Sequence, residues 1–233
     1  MQFSTIPILI AVIFGFIWFI TRRLQRLGIM SSPQRDWIAA LLTILLSWAI
    51  LISYQSSAGS YAVKRLLDTL PGYWLPYVPV VITILLMLLN APLRQALRIL
   101  VDGTPEHWLT GIQIIRVLAL GTLIKAAQGQ FPPLFAWFVG LPDLLFGLSA
   151  IGVTWLAQRG RLREGFLLYW HLLGALVILV PMLGFMHLFM REALFAKLFA
   201  FPMIFAPALV VPTLVMLNML VAWRLWESAR PKP

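Results

Sequence analysis

Two ionisable residues stand where ionisable residues are costly. Arg116 and Asp143 each lie in the middle of a long apolar run, and the turn GQFPP (129–133) between those runs falls at their midpoint. An antiparallel helical hairpin about that turn brings both side chains to similar depth. At 1.5 Å per residue each is about 13–14 Å from its membrane edge, near the centre of a hydrocarbon layer ~30 Å thick. Charges at that depth face protein or water and neutralise one another, so the spacing predicts an Arg116–Asp143 ion pair. Gln113, one turn before Arg116, can hydrogen-bond the same group. Gly140, Gly147, Ala150 and Thr154 form a stripe of small residues around Asp143 that would let the next helix approach and aim the acid inward. Two chemistries fit this centre: an anion or proton site, or an internal pin that fixes one helix against the next.

A second pairing follows from the same argument. Ser149 and His171 have their midpoint in the basic loop QRGRLR (158–163), which places them at similar depth. A serine within reach of a histidine is the minimum for nucleophilic catalysis. The strings GLSA (147–150) and HLLG (171–174) resemble the serine and histidine motifs of rhomboid proteases. That resemblance implies an intramembrane serine hydrolase. It departs from the pattern where Ala150 stands for the glycine expected after the serine, and no oxyanion donor can be named. The other reading is a serine satisfied by its own helix backbone. The three histidines, His107, His171 and His187, sit at three different depths, which argues against a haem held between two of them. With no cysteine in the chain, thiolate metal sites and cysteine nucleophiles are excluded, and neither a cofactor nor a metal is expected.

These residues are carried by a chain of 233 residues that is 61% hydrophobic and 11% charged, with mean hydropathy +0.90. A soluble domain is about 45–50% apolar and ~25% charged. The excess cannot be hidden in a core of this size, which excludes a soluble enzyme, a nucleic-acid binder and a disordered chain. The lipid bilayer is the expected partner. Seven spans are predicted, near 4–21, 37–55, 74–90, 107–127, 134–157, 165–186 and 200–223, forming an all-α polytopic bundle and one transmembrane domain over 1–233. The last run holds Pro202, Pro207 and Pro212, so it is expected to be kinked or partly unwound. Residues 57–72 and 93–101 read as short amphipathic helices lying in the membrane interface.

The net charge of +10 is a matter of topology. Alternating spans put twelve cations on one side: Arg22, Arg23, Arg26, Arg35, Arg94, Arg98, Arg159, Arg161, Arg163, Arg224, Arg230 and Lys232. The other side receives five: Lys64, Arg65, Lys125, Arg191 and Lys197. Cytoplasmic loops are enriched in Lys and Arg, so the N-terminus is expected outside and the C-terminus in the cytoplasm. The first span has no basic residue before it and no cleavage-like site after it, as for a retained helix rather than a signal peptide.

Seven spans divide as three, one and three, the arrangement of SWEET-type sugar transporters. PVVITILLMLLN (79–90) and PALVVPTLVMLN (207–218) share Pro79/Pro207, Leu86/Leu214, Leu89/Leu217 and Asn90/Asn218, too few matches to establish a repeat. A retinal protein is excluded, since no lysine lies in the last span. The stretch 107–148, on Gln113, Arg116, Gly129, Pro132, Phe135, Gly140, Asp143 and Gly147, resembles the central segment of uncharacterised seven-span bacterial inner-membrane proteins. The resemblance implies a location in the inner membrane and no particular activity. The expectation is a non-enzymatic membrane protein. It is either a transporter of a small solute or ion around Gln113, Arg116 and Asp143, or a scaffold or accessory subunit for a partner membrane subunit.

Overall fold

The computed structural model describes residues 5–57, 77–189 and 194–229, with the backbone alone at 186 and 187. All regular structure among them is helical. The long elements are α1 (Ile6–Arg26), α2 (Ser32–Ser57), α3 (Tyr77–Leu89), α4 (Ala91–Asp102), α5 (Glu106–Ala127), α6 (Pro133–Gln158), α7 (Glu164–Gly184) and α8 (Ala206–Ser228). Six of them, α1, α2 and α5 to α8, are each long and apolar enough to cross a membrane. The pair α3 and α4 passes that test only together and is bent by 111°. The protein is a multi-pass membrane protein of six to seven such helices.

The bend has a local cause. Asn90 interrupts the apolar run and caps α4, its side chain accepting from the Leu93 amide at 2.9 Å, and Pro92 follows inside the first turn. The thirteen residues of α3 extend about 20 Å, too short for the hydrocarbon layer alone. Tyr77 at its start donates to the Leu179 carbonyl at 3.1 Å, in the last third of α7. Asp102 at the end of α4 pairs with Arg224 at 2.7 Å, near the end of α8. The bent pair therefore runs from one end of the bundle to the other. Residues 74–76 of the expected third span lie outside the described residues. So do residues 58–72 of the first expected interfacial helix, along with Lys64, Arg65, Arg191, Arg230 and Lys232 of the charge count.

The second expected interfacial helix is present as α4, but its apolar face is covered by protein. Leu93, Ala96, Leu97, Leu100 and Val101 are buried, and α4 packs on α1, α2 and α8. An amphipathic stripe fits a groove between helices as well as it fits a membrane surface, and the sequence alone does not distinguish them. Its polar side is held to α8: Arg98 stacks over Trp223 at 4.9 Å and pairs with Glu227 at 2.7 Å.

Helix α8 is the axis of the bundle. Its apolar stretch is 72% buried, against 39% at most for the other candidate spans. Pro202 lies before it, whereas Pro207 and Pro212 lie within its first turns, which widen into a π-helical turn at Ala206–Val210. A second π turn, Ala136–Gly140, opens α6 two residues before Pro142. In both places a proline inside a helix would clash with the carbonyl four residues back. The wider turn moves that carbonyl aside, so Pro207 and Pro212 sit in a continuous helix, whereas residues 200–204 of the expected span, with Pro202, are bend and turn rather than helix.

Helices α5 and α6 form the predicted hairpin about Gly129, whose φ of +67° suits glycine. The small residues of α6 face α5 along its length. A Cβ on Gly140 would reach to 2.5 Å from Thr122 Oγ1. One on Gly147 would come within 2.6 Å of the Val117 nitrogen and 2.8 Å of the Arg116 carbonyl carbon. Thr154 donates to Thr110 at 3.1 Å. Gly152, on the opposite side of α6, has open space instead.

The contrast generates a prediction. Gly147→Ala forces two backbones apart and is expected to cost about 1–3 kcal/mol, as over-packing does. Gly152→Ala meets nothing and is expected to be neutral or stabilising by up to ~1 kcal/mol, because alanine is the better helix former. Thermal unfolding of both variants in one detergent checks the order.

Candidate functional site

The middle of α5 carries the site on an unusual backbone. Ile112–Ala119 is wound as a 3₁₀-helix. With three residues per turn, positions three apart eclipse, so Gln113 and Arg116 stand one above the other. A 3₁₀ stretch inside a longer helix often marks a hinge or strain. The side chain of Arg116 is fully enclosed. Its Nε donates to Asp143 Oδ1 on α6. Its Nη1 donates to the Gly174 carbonyl on α7 at 2.8 Å and, more weakly, to Gln113 Oε1 at 3.5 Å. The Phe146 ring lies 4.4 Å from the guanidinium carbon, a cation–π contact in a desolvated setting.

The polar centre extends beyond the predicted pair. Gln113 Oε1 also accepts from Asn218 Nδ2 at 3.3 Å, and Asn218 Oδ1 lies 2.8 Å from His171 Nδ1. Asp143, Arg116, Gln113, Asn218 and His171 thus form one chain of contacts drawn from α6, α5, α8 and α7. Gln113 and Asn218 are fully enclosed and His171 is 1% exposed. Two donors in this chain of contacts have no acceptor among the described residues, Arg116 Nη2 and Gln113 Nε2. A buried donor left unpaired costs about 1–3 kcal/mol, and more when charged.

Gly174 allows the convergence. A Cβ there would lie 2.3 Å from Phe146 Cζ and 2.6 Å from Asn218 Nδ2. Glycine frees its carbonyl for Arg116 and lets Phe146 slide between α6 and α7, where it stacks on Trp170 with ring centroids 4.5 Å apart.

Ser149 and His171 are not brought together. Ser149 is exposed on α6; its hydroxyl donates to the Phe146 carbonyl at 2.7 Å and accepts from Trp170 Nε1 at 3.1 Å. The hairpin sets the level correctly, but the residue before His171 faces the serine. Adjacent residues on a helix point about 100° apart, which turns His171 toward Asn218 instead. Asn218 is the site residue the sequence reading did not single out. Its signal was a carboxamide inside the apolar string VPTLVMLNMLVAW.

Two cavities approach the chain of contacts from opposite ends of the bundle. One, of about 270 Å³, begins among Thr5, Lys125, Phe131 and Leu198, at the face where α1 and α8 begin, and ends on Arg116 and Asp143. Asp143 keeps 17% of its side chain exposed. The other, of about 160 Å³, lies at the opposite face among Asp102, Glu106, Arg224 and Ser228 and ends on His171. A larger, apolar cavity of about 330 Å³ beside α3 and α4 has Arg94 as its one charged lining residue and does not reach the site. Among the described residues no group of three or more His, Asp or Glu is arranged to hold a metal.

Residues 73–226 match a domain of unknown function, DUF8737. The chain belongs to that family. The matched segment contains all five residues of the polar chain, whereas Thr5, Ile6 and Leu9, which wall the first cavity, lie before it. No curated protein and no solved structure matches the chain.

The geometry sets out a mutational test. Asp143→Asn leaves the enclosed charge of Arg116 without its counter-ion, and breaking one partner of a buried pair costs about 3–5 kcal/mol. Arg116→Lys is expected to be similarly damaging, since one ammonium cannot serve Asp143, Gly174 and Gln113 from a planar fork. Combining Arg116→Gln with Asp143→Asn is expected to lose clearly less than the sum of the two single changes, measured as unfolding free energies in a double-mutant cycle.

Proposed function

We propose that this member of the DUF8737 family is a transporter of a small solute or ion in a bacterial inner membrane, with Arg116, Asp143 and Gln113 as its central site. One observation carries the reading: a cavity leads from one face of the bundle to a charge pair near its middle, where Asp143 keeps 17% of its side chain exposed and the enclosed Arg116 Nη2 has no acceptor among the described residues. Intramembrane ionisable groups that line a cavity mark solute and ion pathways. A charge pair that served only as an internal pin would be expected to have its hydrogen bonds complete and its surroundings packed.

The excess of positive charge at the other end orients the protein with this cavity facing out of the cytoplasm. Arg116 with Lys125 against Asp143 leaves the cavity net cationic, which suits a solute that presents an acceptor or an anion. The bent helices fit the reading. The 3₁₀ stretch of α5 and the π turns of α6 and α8 gather around this cavity, as interrupted helices gather around central sites in many transporters.

The scaffold reading has its own support in the tight seam at Gly147 and Gly174, where the pair ties α5, α6 and α7 together and Gln113 adds α8 through Asn218. Accessibility separates the two. The natural chain has no cysteine, so a single introduced thiol reports its own surroundings. Ala119 is half-buried, lines the cavity and lies one turn from Arg116. Ala119→Cys is expected to react with a charged, membrane-impermeant methanethiosulfonate added on the non-cytoplasmic side of intact cells. A folded variant that stays unreactive there points to a closed, structural pair and ends the transport reading.

A further inference from the structure

The cavity at the opposite face ends on a single titratable side chain, His171. The hydrogen bonds around it fix its tautomer. Asn218 donates through Nδ2 to Gln113 Oε1, and Oε1 is the acceptor because Arg116 Nη1 donates to it as well. The amide oxygen of Asn218 is therefore turned to the histidine, and it can only accept, so His171 Nδ1 carries the hydrogen. Nε2 is left as the basic atom of the ring.

We infer that His171 is a proton-exchange site open to the face where α8 ends, joined through Asn218 and Gln113 to the Arg116–Asp143 pair. Protonation moves a proton from water in the 160 Å³ cavity to Nε2, and deprotonation returns it. Nδ1 donates to Asn218 in both states, so the contacts leading to Arg116 keep their direction while a positive charge is added behind the guanidinium.

The charged groups around this site are few. Asp102, Glu106 and Arg224 line the cavity from α4, α5 and α8. Arg224 is occupied by Asp102, at 2.7 and 2.9 Å, and by Glu227. Glu106 is exposed at the mouth. On the inner side stand Arg116 on α5 and Asp143 on α6. The carboxamides of Asn218 and Gln113 carry no proton through at neutral pH, so the link between the two ends is electrostatic and no proton wire is required.

The proton site stands on its own geometry; its coupling to a solute rests on the transport reading. In that reading a proton taken up on one side strengthens the hold of Arg116 on an acceptor arriving from the other. By linkage, the acceptor strengthens proton binding by the same factor.

The test needs no knowledge of the solute. In a His107→Gln, His187→Gln variant, His171 is the sole histidine, and nitrogen-15 NMR of the imidazole reads its tautomer and charge directly. The expected result is the Nδ1–H form at about pH 9, with an Nε2 signal that shifts as the pH is lowered toward 4. Asn218→Leu is expected to release the tautomer. An Nε2–H ring, or a signal that does not move over that range, overturns the inference. Leu225 is half-buried and lines the same cavity. Leu225→Cys is expected to react with the charged methanethiosulfonate only in inside-out vesicles, and protection on that side would also overturn it. Failure at Leu225 with reaction at Ala119→Cys sinks the proton site and leaves the transport reading. Failure at Ala119 alone sinks transport and leaves His171 a one-sided proton site.

Discussion

An arginine enclosed at mid-membrane has to be neutralised and hydrogen-bonded, and most of this structure can be read as the answer to that constraint. The isolated charge is expensive in a low-dielectric interior. Arg116 draws one partner from each of its neighbours: a carboxylate from α6, a carbonyl from α7 and a carboxamide from its own helix. Each partner has to come close, which explains why the approach is made by residues without side chains. Gly147 brings the α6 backbone against the α5 backbone at Arg116 itself, and Gly174 offers its carbonyl from a position where any Cβ would strike Phe146. The aromatic ring fills the remaining flank of the guanidinium.

The backbone adjusts to the same demand. A regular α-helix would set Gln113 and Arg116 about 60° apart around its axis, whereas the tighter winding of Ile112–Ala119 aligns them so that one carboxamide oxygen meets both Arg116 and Asn218. The π turns in α6 and α8 absorb Pro142 and Pro212 above the site without breaking either helix. The 3₁₀ stretch, Gly147, Gly174 and the polar side chains therefore gather at the site, with the two π turns toward the face where α8 begins. Farther toward either face the helices pack through ordinary aliphatic contacts, such as Ile13, Ile20 and Leu24 of α1 against α2 and α4.

The sequence revealed the helical class, the apolar runs and the common level of Arg116 and Asp143 in their hairpin, because each depends on periodicity and on counting along the chain. Depth in a hairpin is a one-dimensional quantity, and the midpoint rule placed Arg116 opposite Asp143 and Ser149 beside the turn of α7 that holds His171. Direction around a helix axis is different. It depends on the angular phase of each residue and on the turn between the helices, which a midpoint does not fix, so the rule put Ser149 near His171 while the structure puts Trp170 there. Asn218 was hidden for a related reason. It comes from a helix remote in sequence, so no spacing within the α5–α6 hairpin could point to it. The amphipathic pattern of α4 specified a half-buried helix but not whether lipid headgroups or α2 would cover it.

The two cavities stop at a layer only a few side chains thick, and the composition of that layer is informative. Phe146, Trp170 and Gly174 close it with aromatic and backbone atoms, while Gln113 and Asn218 pass through it as the polar connection. Water cannot follow that route while Phe146 is wedged against Gly174, since the ring occupies the space a Cβ would need. A solute crossing at Arg116 would require Phe146 to leave its stack on Trp170, and this requires α6 and α7 to separate. The Arg116–Gly174 bond is the contact that opposes the separation, and it is made by the same guanidinium whose enclosed Nη2 has no acceptor among the described residues. A ligand acceptor that draws the guanidinium away from α7 would weaken the tie holding the layer shut. On the transport reading, the binding of a solute and the opening of the path behind it would depend on one side chain, so occupancy and opening would be linked without any remote signal.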